Sequence, residues 1–163
     1  MALLLLGTPA AHALSTDRAQ PIDLSADHIR LDQRTGVTTY YGHVVLRQGS
    51  LEVRADKAVV EYRKNAISTI TAFGAPLHFQ EQPTRTAAKV LGSARLLTYV
   101  ASSHVLQLQH QVVLRQGPNS FKSASMRYNL LTQVVHASGN EQHKRVHATL
   151  IPSTRKPVAP AHE

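Results

Sequence analysis

A hexapeptide that occurs twice constrains the fold of this 163-residue chain more than any other feature. Residues 44–49 read VVLRQG, and the same letters recur at residues 112–117. The correspondence continues without a gap, since Val53 beyond the first copy matches Phe121 beyond the second. The chain is long enough for one domain and too short for two comfortable ones, so the duplication predicts a repetitive architecture within a single domain.

A shorter unit lies inside the long repeat and occurs four times. Each copy opens on a serine or arginine followed by alanine and runs through a strand, a polar turn and a second strand. The copies close at small or polar breaks, which are Gly42, Gly74, His110 and Gly139. Four strand-pair units of about thirty residues predict antiparallel hairpins that bury their apolar faces only against one another. The repeat therefore predicts an all-β jelly roll, sandwich or flattened barrel.

The spacing of apolar residues supports strands through most of the chain. Pairs such as Ile22/Leu24 and Leu106/Leu108 alternate with polar neighbours, which places one face of each segment inside and the other in water. Residues 86–101 are ambiguous, because their apolar positions also fit a helical stripe. The repeat places a strand there, and Gly92 would weaken a helix.

The two ends of the chain differ from the body. Residues 1–13 contain a leucine run followed by Ala-His-Ala, which is typical of a signal peptide that is truncated, since no Lys or Arg precedes Arg18. The mature chain would then begin at Leu14 and work outside the cytoplasm. Residues 153–163 hold few apolar side chains, so we expect a disordered tail after a domain that spans residues 14–152.

Composition and motifs exclude several functional classes. The chain has no Cys, which removes thiol nucleophiles and Cys-ligated metals. It has no Gly-x-Ser-x-Gly elbow and no His-Glu-x-x-His, and its ten histidines lack ligand spacing, so we predict no enzyme activity, no metal site and no cofactor. The formal charge of +8 is dispersed and aromatic residues are few, which disfavours nucleic acid as a partner.

The order of several short motifs resembles the OstA-like domain of the LptA family, which transports lipopolysaccharide. The resemblance covers roughly residues 17–153, and the order and spacing of its pieces carry it more than any single piece. The pieces are QPI at 20–22, GHV at 42–44, QG at 48–49, ADKAVV at 55–60, GAPLHF at 74–79, SA at 93–94 and KRVHATLIPS at 144–153. His110 departs from the pattern, because the family usually has glycine there.

The resemblance implies an antiparallel β-jellyroll that is open at both ends, with an apolar groove along its interior. It implies a periplasmic bridge protein that carries lipopolysaccharide from an inner-membrane LptC-type partner to an outer-membrane LptD-type partner. In such proteins the edge strands pair with the next jellyroll, which allows a head-to-tail homo-oligomer. The candidate edges in this chain are residues 22–31 and 145–151. No catalytic residue is expected.

Seven residues are candidates for binding the lipid A portion of lipopolysaccharide. Ile22, Phe79 and Tyr99 match family positions that face the groove. Side chains alternate between the two faces of a strand, and four leucines on the apolar faces are added for this reason, which are Leu24, Leu77, Leu106 and Leu108. The competing interpretation is that these side chains form an ordinary core. The repeated arginines Arg47 and Arg115 are expected on the outer face or beside phosphates.

Three alternatives remain at this point, and one of them is a purely structural scaffold, which would assemble with itself without any ligand. The chain could be an LptC-like or LptD-like OstA domain in the same pathway. It could also be a basic β-domain that binds an acidic polysaccharide or nucleic acid on its surface, and steep salt dependence would separate that class from a lipid groove.

Overall fold

The structure is a computed structural model that describes residues 19–139 and 145–151. Ten β-strands and no α-helix occur in these residues. The strands are β1 (Asp23–Ser25), β2 (His28–Asp32), β3 (Val37–Gln48), β4 (Leu51–Arg63), β5 (Ala66–Glu81), β6 (Val90–Val100), β7 (Val105–Gln116), β8 (Asn119–Asn129), β9 (Val134–Ser138) and β10 (His147–Thr149). The signal peptide predicted at 1–13 and the tail predicted at 153–163 lie outside the described residues.

All ten strands belong to one antiparallel sheet with eight strand positions. The six long strands β3 to β8 occupy the central positions in chain order. Each outer position is shared by two short strands, because β1 and β2 both pair with β3, and β9 and β10 both pair with β8. Since the long strands β3 to β8 pair in chain order, the central sheet is a meander of hairpins, as the fourfold repeat predicts.

Every pairing between the long strands is interrupted near its middle, and the β4–β5 pairing has a second shift between Glu61 and Tyr62. The interruptions fall between Tyr41 and Val44 in β3, between Phe73 and Leu77 in β5, and at matching places in the pairs β4–β5, β6–β7 and β7–β8. We call this row of β-bulges the bulge line. Strands bend at bulges and can pass there from one packed layer to another. The bulge line thus divides the sheet into a first layer, which contains β2 and β9, and a second layer, which contains β1 and β10.

Contacts across the interior show that the two layers pack face to face. One cluster of buried side chains includes Val53 from the second layer together with Ile70 and Leu97 from the first. The Tyr99 hydroxyl in the first layer donates a hydrogen bond to Gln48 Oε1 in the second, at 3.1 Å. Because Tyr99 and Gln48 lie on strands three positions apart, this bond crosses the interior. A folded sheet whose edge strands do not meet is an open jelly roll, which confirms the predicted fold class.

The ambiguous segment is a strand, as the repeat predicts. β6 spans Val90–Val100, and Gly92 pairs directly with Phe79 on β5. A Cβ atom at Gly92 would overlap the Phe79 ring, so the ring occupies the space that a side chain would otherwise fill. Glycine is therefore required here by the close approach of an aromatic neighbour.

Three of the four predicted unit breaks lie inside strands, so the expectation that strands end at these three is wrong. Gly42 and His110 lie within β3 and β7 at the bulge line, and Gly74 lies within β5. Gly42 has a φ of 75° and His110 a φ of 64°. A bulge and a turn both use this left-handed conformation, and the sequence alone does not distinguish them. Gly139 does follow the end of a strand, β9.

Candidate functional site

Three rows of side chains run along the interior from one sheet edge to the other. Within each row, every residue is the direct cross-strand partner of the next. The first layer contributes Ile29, Tyr40, Ala58, Ala72, Leu97, Leu108, Met126 and Ala137, and also Leu31, Thr38, Val60, Ile70, Tyr99, Leu106, Tyr128 and Val135. The second layer contributes Leu24, Leu46, Val53, Phe79, Gly92, Leu114, Phe121 and Ala148. Only Thr38 among these positions carries a polar group apart from the tyrosine hydroxyls.

The interior is buried at its centre and open at its ends. Ile70 and Leu106, in the middle of one row, are completely shielded from solvent at 0% exposure. At the N-terminal edge of the same layer, Ile29 is 59% exposed and Leu31 is 60% exposed. Val135 at the opposite edge is 37% exposed. Among residues 19–139 and 145–151, the apolar rows therefore reach solvent at both sheet edges, where none of the described strands covers them.

All seven residues predicted as lipid-binding lie on this interior. Leu77, Phe79, Tyr99, Leu106 and Leu108 are buried members of the central cluster. Ile22 and Leu24, at the N-terminal edge, are partly buried and pack against the same cluster. The structure brings the seven together on the two facing layers, and whether they contact lipid stays a prediction.

The sequence reasoning missed the interior residues of the edge strands. Ile29 and Leu31 face inward, because they pair with Tyr40 and Thr38, yet they are mostly exposed. Val135 on β9 likewise faces inward at an edge, because it pairs with Tyr128, and the sequence did not identify β9 as an edge strand. Their alternation was visible in the sequence, but their position at the open ends depends on which strands lack a neighbour.

Polar groups close the interior along the margin opposite the bulge line. The Tyr99 hydroxyl lies 3.2 Å from His104 Nδ1 in the turn after β6, in addition to its bond with Gln48. The Gln48 side-chain amide donates to the Gln20 carbonyl at 3.1 Å, which fastens the segment before β1. Tyr99 is thus both an interior wall residue and part of a hydrogen-bonded bridge between the layers.

An ion pair fastens the corner between β1 and β2 to the bulge of β3. His43 Nδ1 lies 2.7 Å from Asp27 Oδ2, and the Asp27 amide donates to the Gly42 carbonyl at 3.0 Å. The hydrogen bond to Asp27, then the charges of Asp27 and Asp56, raise the pKa of His43 above its ordinary value. The pair therefore holds the N-terminal edge more strongly when His43 is protonated.

The two repeated arginines lie on the outer face of the second layer. Arg47 and Arg115 are exposed and belong to one cross-strand row, with Glu52 and Leu91 between them. Arg47 Nε donates to Glu52 Oε2 at 2.9 Å. Burial opposes ionisation of Glu52, but its hydrogen bonds with Arg54 and Arg47 and their charges outweigh burial and lower its pKa. Neither repeated arginine lines the interior.

Two kinds of site do not occur in the part of the chain that the structure describes. None of the described residues forms a helix with the length and hydropathy needed to cross a membrane. Within residues 19–139 and 145–151 there is also no group of three or more acidic or histidine side chains that could hold a metal ion.

Comparison with known proteins identifies the family. Residues 23–134 match the family model described as LptA/(LptD N-terminal domain) LPS transport protein. The chain belongs to this family. Among curated relatives, lipopolysaccharide export system protein LptA of Haemophilus influenzae is 31% identical over 156 residues, with 94% of this chain and 90% of that protein covered.

A Pseudomonas aeruginosa member of the LptA family matches in both sequence and structure. Lipopolysaccharide export system protein LptH is 31% identical over 135 residues, which cover 81% of this chain and 76% of LptH. The crystal structure of LptH, described as the LptA-homologous periplasmic component of the lipopolysaccharide transport device, matches with a TM-score of 0.79. That match has 26% sequence identity and covers 84% of this chain and 99% of the LptH chain.

Proposed function

We propose that this chain is a periplasmic bridge protein that binds lipopolysaccharide in its interior and carries it from the inner to the outer membrane. The observation that supports this function most directly is the set of three apolar rows that run unbroken between two open sheet edges. Its relatives are named lipopolysaccharide export system proteins, and one of them is described as a periplasmic component of the lipopolysaccharide transport device. The role requires binding and release, and no bond is made or broken in it.

The interior suits the acyl chains of lipid A. Acyl chains need a dry apolar trough, and Leu77, Phe79, Leu106 and Leu108 supply buried apolar surface on both layers. Because the central side chains pack against one another, acyl chains enter by separating the layers from the open ends inward. Ile29 and Leu31 are the first interior side chains that a lipid arriving at the N-terminal edge would meet.

The two open edges suit assembly with other jellyrolls. An edge strand presents unpaired N–H and C=O groups, which another strand can extend. β1 and β2 form the N-terminal edge, and β9 and β10 form the C-terminal edge. We assign these edges to an LptC-type partner, an LptD-type partner and further copies of the chain. Pairing of this kind would join the interior rows of successive molecules.

Lipopolysaccharide binding by the purified chain tests this function, with variants on the exposed strand β2. Ile29→Asp places a charge on the interior face, and because the side chain is already 59% exposed, the change removes little buried apolar surface from the folded protein. Burying a leucine-sized side chain is worth about 1.5–3 kcal/mol, so we expect affinity to fall by about tenfold or more. His28→Asp adds a carboxylate to the outward face of the same strand and should leave affinity unchanged.

The salt dependence of this binding separates the proposed function from surface binding of a polyanion. Burial of acyl chains persists when the salt concentration is raised, and lipid A should displace lipopolysaccharide. Binding that vanishes at high salt, yields equally to heparin, and is insensitive to Ile29→Asp would mean that the basic surface carries the function. Phe79→Asp and Tyr99→Asp are weaker tests, because both residues are 2% exposed and either change would also unfold the core.

A further inference from the structure

A trough of about 610 Å³ lies on the outer face of the second layer, outside the apolar interior. Its side chains come from four adjacent strands, β4 to β7. The lining residues are Glu52, Arg54, His78, Phe79, Gln80, Leu91, Gly92, Ser93, Val113 and Arg115. Phe79 and Gly92 lie between the outward-facing residues of β5 and β6, and the Phe79 side chain itself faces the interior. A volume of this size is within the range of small-molecule sites, roughly 300–1,000 Å³.

Strand register explains why these residues meet. One row across the outer face consists of Glu52, Gln80, Leu91 and Arg115, and the next row consists of Arg54, His78, Ser93 and Val113. In each row the residues are direct cross-strand partners, whose side chains lie on the same face of a sheet. The trough is thus built on the rigid strands of the sheet rather than on loops.

One carboxylate orients two guanidinium groups at the first end of the trough. Glu52 Oε1 accepts from Arg54 Nε at 2.8 Å, and Glu52 Oε2 accepts from Arg47 Nε at 2.9 Å. Glu52 is well shielded, with 15% of its side chain exposed, whereas Arg54 is 63% exposed. Each arginine is held through its Nε, and its other guanidinium N–H groups make no hydrogen bond to a described residue. Those groups are positioned to bind another acceptor.

Positive charge predominates at the opposite end. Arg115 lies four strands' width from Arg47 in the same row, and no ion pair joins it to a described residue. Lys122 on β8 pairs with Val113, which places a second cation beside the trough. Glu52 is the only acidic side chain in the lining, and two arginines already share it. An anion is the ligand that this charge distribution favours.

The floor of the trough is partly apolar. Leu91 is 46% exposed between Gln80 and Arg115, and Val113 lies in the adjoining row. An apolar patch flanked by guanidinium, amide and hydroxyl groups matches a sugar ring, which has a C–H face and a polar rim. Arginine binds phosphate through paired N–H groups. Together these features fit a phosphorylated sugar better than a bare anion.

The trough lies next to the free margin of the second layer. Arg115 is two residues before Gly117, and Leu91 follows the connection between β5 and β6, so both are close to the turns that end the layer opposite the bulge line. A ligand whose acyl chains lie inside the interior can pass its sugar around this margin once the Tyr99–Gln48 bridge opens. Only one layer of the sheet then separates the acyl chains from the trough.

We propose that the trough formed by Arg54, Leu91, Ser93 and Arg115 is a second binding site, which takes the phosphorylated sugar portion of the transported lipid. This inference rests on the proposed function for the source of the sugar, while the site itself requires only a phosphorylated saccharide. The acyl chains and the sugar then occupy opposite faces of the same sheet.

Titration of the full chain with an acyl-free, phosphorylated core oligosaccharide tests the site. We expect saturable binding that Arg115→Gln and Arg54→Gln each weaken by about tenfold, since each removes charge-assisted hydrogen bonds. Arg127→Gln is the matched control, because Arg127 is an exposed arginine on the outer face of the first layer. Two further arms use the dephosphorylated oligosaccharide and inorganic phosphate, and both should bind at least tenfold more weakly than the intact oligosaccharide.

The outcomes separate this site from the proposed function. Equal weakening by Arg127→Gln, or equal binding of inorganic phosphate, would overturn the site, because either result indicates non-specific attraction to a basic surface. Lipopolysaccharide binding that Ile29→Asp weakens, together with no binding of the oligosaccharide, would overturn the site and leave the proposed function standing. Specific oligosaccharide binding without any binding of lipid A would support the site and overturn the interior lipid function.

Discussion

The bulge line depends on individual residues in a left-handed conformation. In β3 the pair Gly42 and His43 has φ angles of 75° and 46°, and in β7 the pair His110 and Gln111 has φ angles of 64° and 56°. The two strands therefore bend in the same way, although only one of them uses glycine. A non-glycine residue pays about 1–2 kcal/mol in this conformation. The fold therefore accepts histidine at position 110, where the family usually has glycine, but the histidine lowers the stability of the protein.

His110→Gly should stabilise the protein. Relief of about 1–2 kcal/mol of backbone strain exceeds the entropy that glycine adds to the unfolded chain, about 0.5–1 kcal/mol, so the expected gain is about 0.5–1 kcal/mol. His110 is exposed, and no packing is lost when its side chain is removed. Chemical denaturation measures the change in the free energy of unfolding.

Gly42→Ala is the opposite change at the equivalent bulge and should destabilise the protein. The added Cβ would have a positive φ and would also overlap the Asp27 carboxylate. A result in which His110→Gly destabilises the protein would show that the two bulges are not equivalent.

The ion pair between His43 and Asp27 should make stability depend on pH. The pKa of His43 is raised in the folded protein by Asp27 and Asp56, so its contribution is fully present below the unfolded value of about 6.5. The contribution is lost as the pH rises through the higher pKa of the folded state. Denaturation of the wild type and of His43→Asn at pH 5.5 and pH 8.5 measures this effect.

Asparagine is the suitable replacement at His43, because it tolerates a positive φ and does not ionise. The wild type should exceed His43→Asn in stability at the lower pH, and the difference should shrink at the higher pH. A difference that is the same at both pH values would mean that protonation of His43 does not hold the corner between β1 and β2.

At the scale of strands, the sequence predicts faces better than lengths. Alternation has a period of two, so it correctly assigns Leu77, Phe79, Leu106 and Leu108 to the interior without any knowledge of the pairing. Alternation does not show that β5 continues from Ala66 to Glu81. A bulge interrupts the alternation of inward and outward side chains, so in the sequence it resembles a turn between two strands. The sequence also did not predict the open ends, since the exposure of an interior residue such as Ile29 depends on the absence of a neighbouring strand.

The ring of Phe79 on β5 packs closely over Gly92 on β6. Gly92→Ala should destabilise the protein by about 1–3 kcal/mol, because the new Cβ would displace the Phe79 ring in a closely packed core. Ser93→Ala, one residue along the same strand on the outer face, is the control and should change stability little. Thermal and chemical denaturation provide the comparison.

A double-mutant cycle isolates this contact. In the background of Phe79→Ala, Gly92→Ala should be neutral or stabilising, since the ring that it would strike is gone. If Gly92→Ala costs the same in both backgrounds, the glycine is required for another reason and the contact with the ring is not the cause.

At the scale of the molecule, the sheet has two different free edges. The N-terminal edge consists of β1 and β2, the C-terminal edge of β9 and β10, and large apolar side chains are exposed near both. When the N-terminal edge of one copy pairs with the C-terminal edge of another, the contact is head to tail, and it leaves one edge of each copy available for the next.

Blocking one edge at a time should reveal this arrangement. A variant with Ile29→Lys and Leu31→Lys carries a blocked N-terminal edge, and a variant with Leu150→Lys and Ile151→Lys carries a blocked C-terminal edge. Each variant alone should be monomeric, and a mixture of the two should form only a heterodimer. Light scattering after size exclusion measures the masses.

Two results would contradict this prediction. Dimers formed by either variant alone would indicate pairing between like edges, and a mixture that stays monomeric would mean that the edges do not assemble.

The bulge line also determines how the molecule can change its width. Every long strand contributes one segment to each layer, so the layers are joined covalently along six parallel hinges and cannot slide past each other. This connection favours a change of angle about that common axis, with the greatest opening at the margin that the Tyr99–Gln48 bond spans. Lipids with different numbers of acyl chains would therefore be accommodated by the angle of opening, while the alignment of the interior rows, and so the path along the molecule, stays the same.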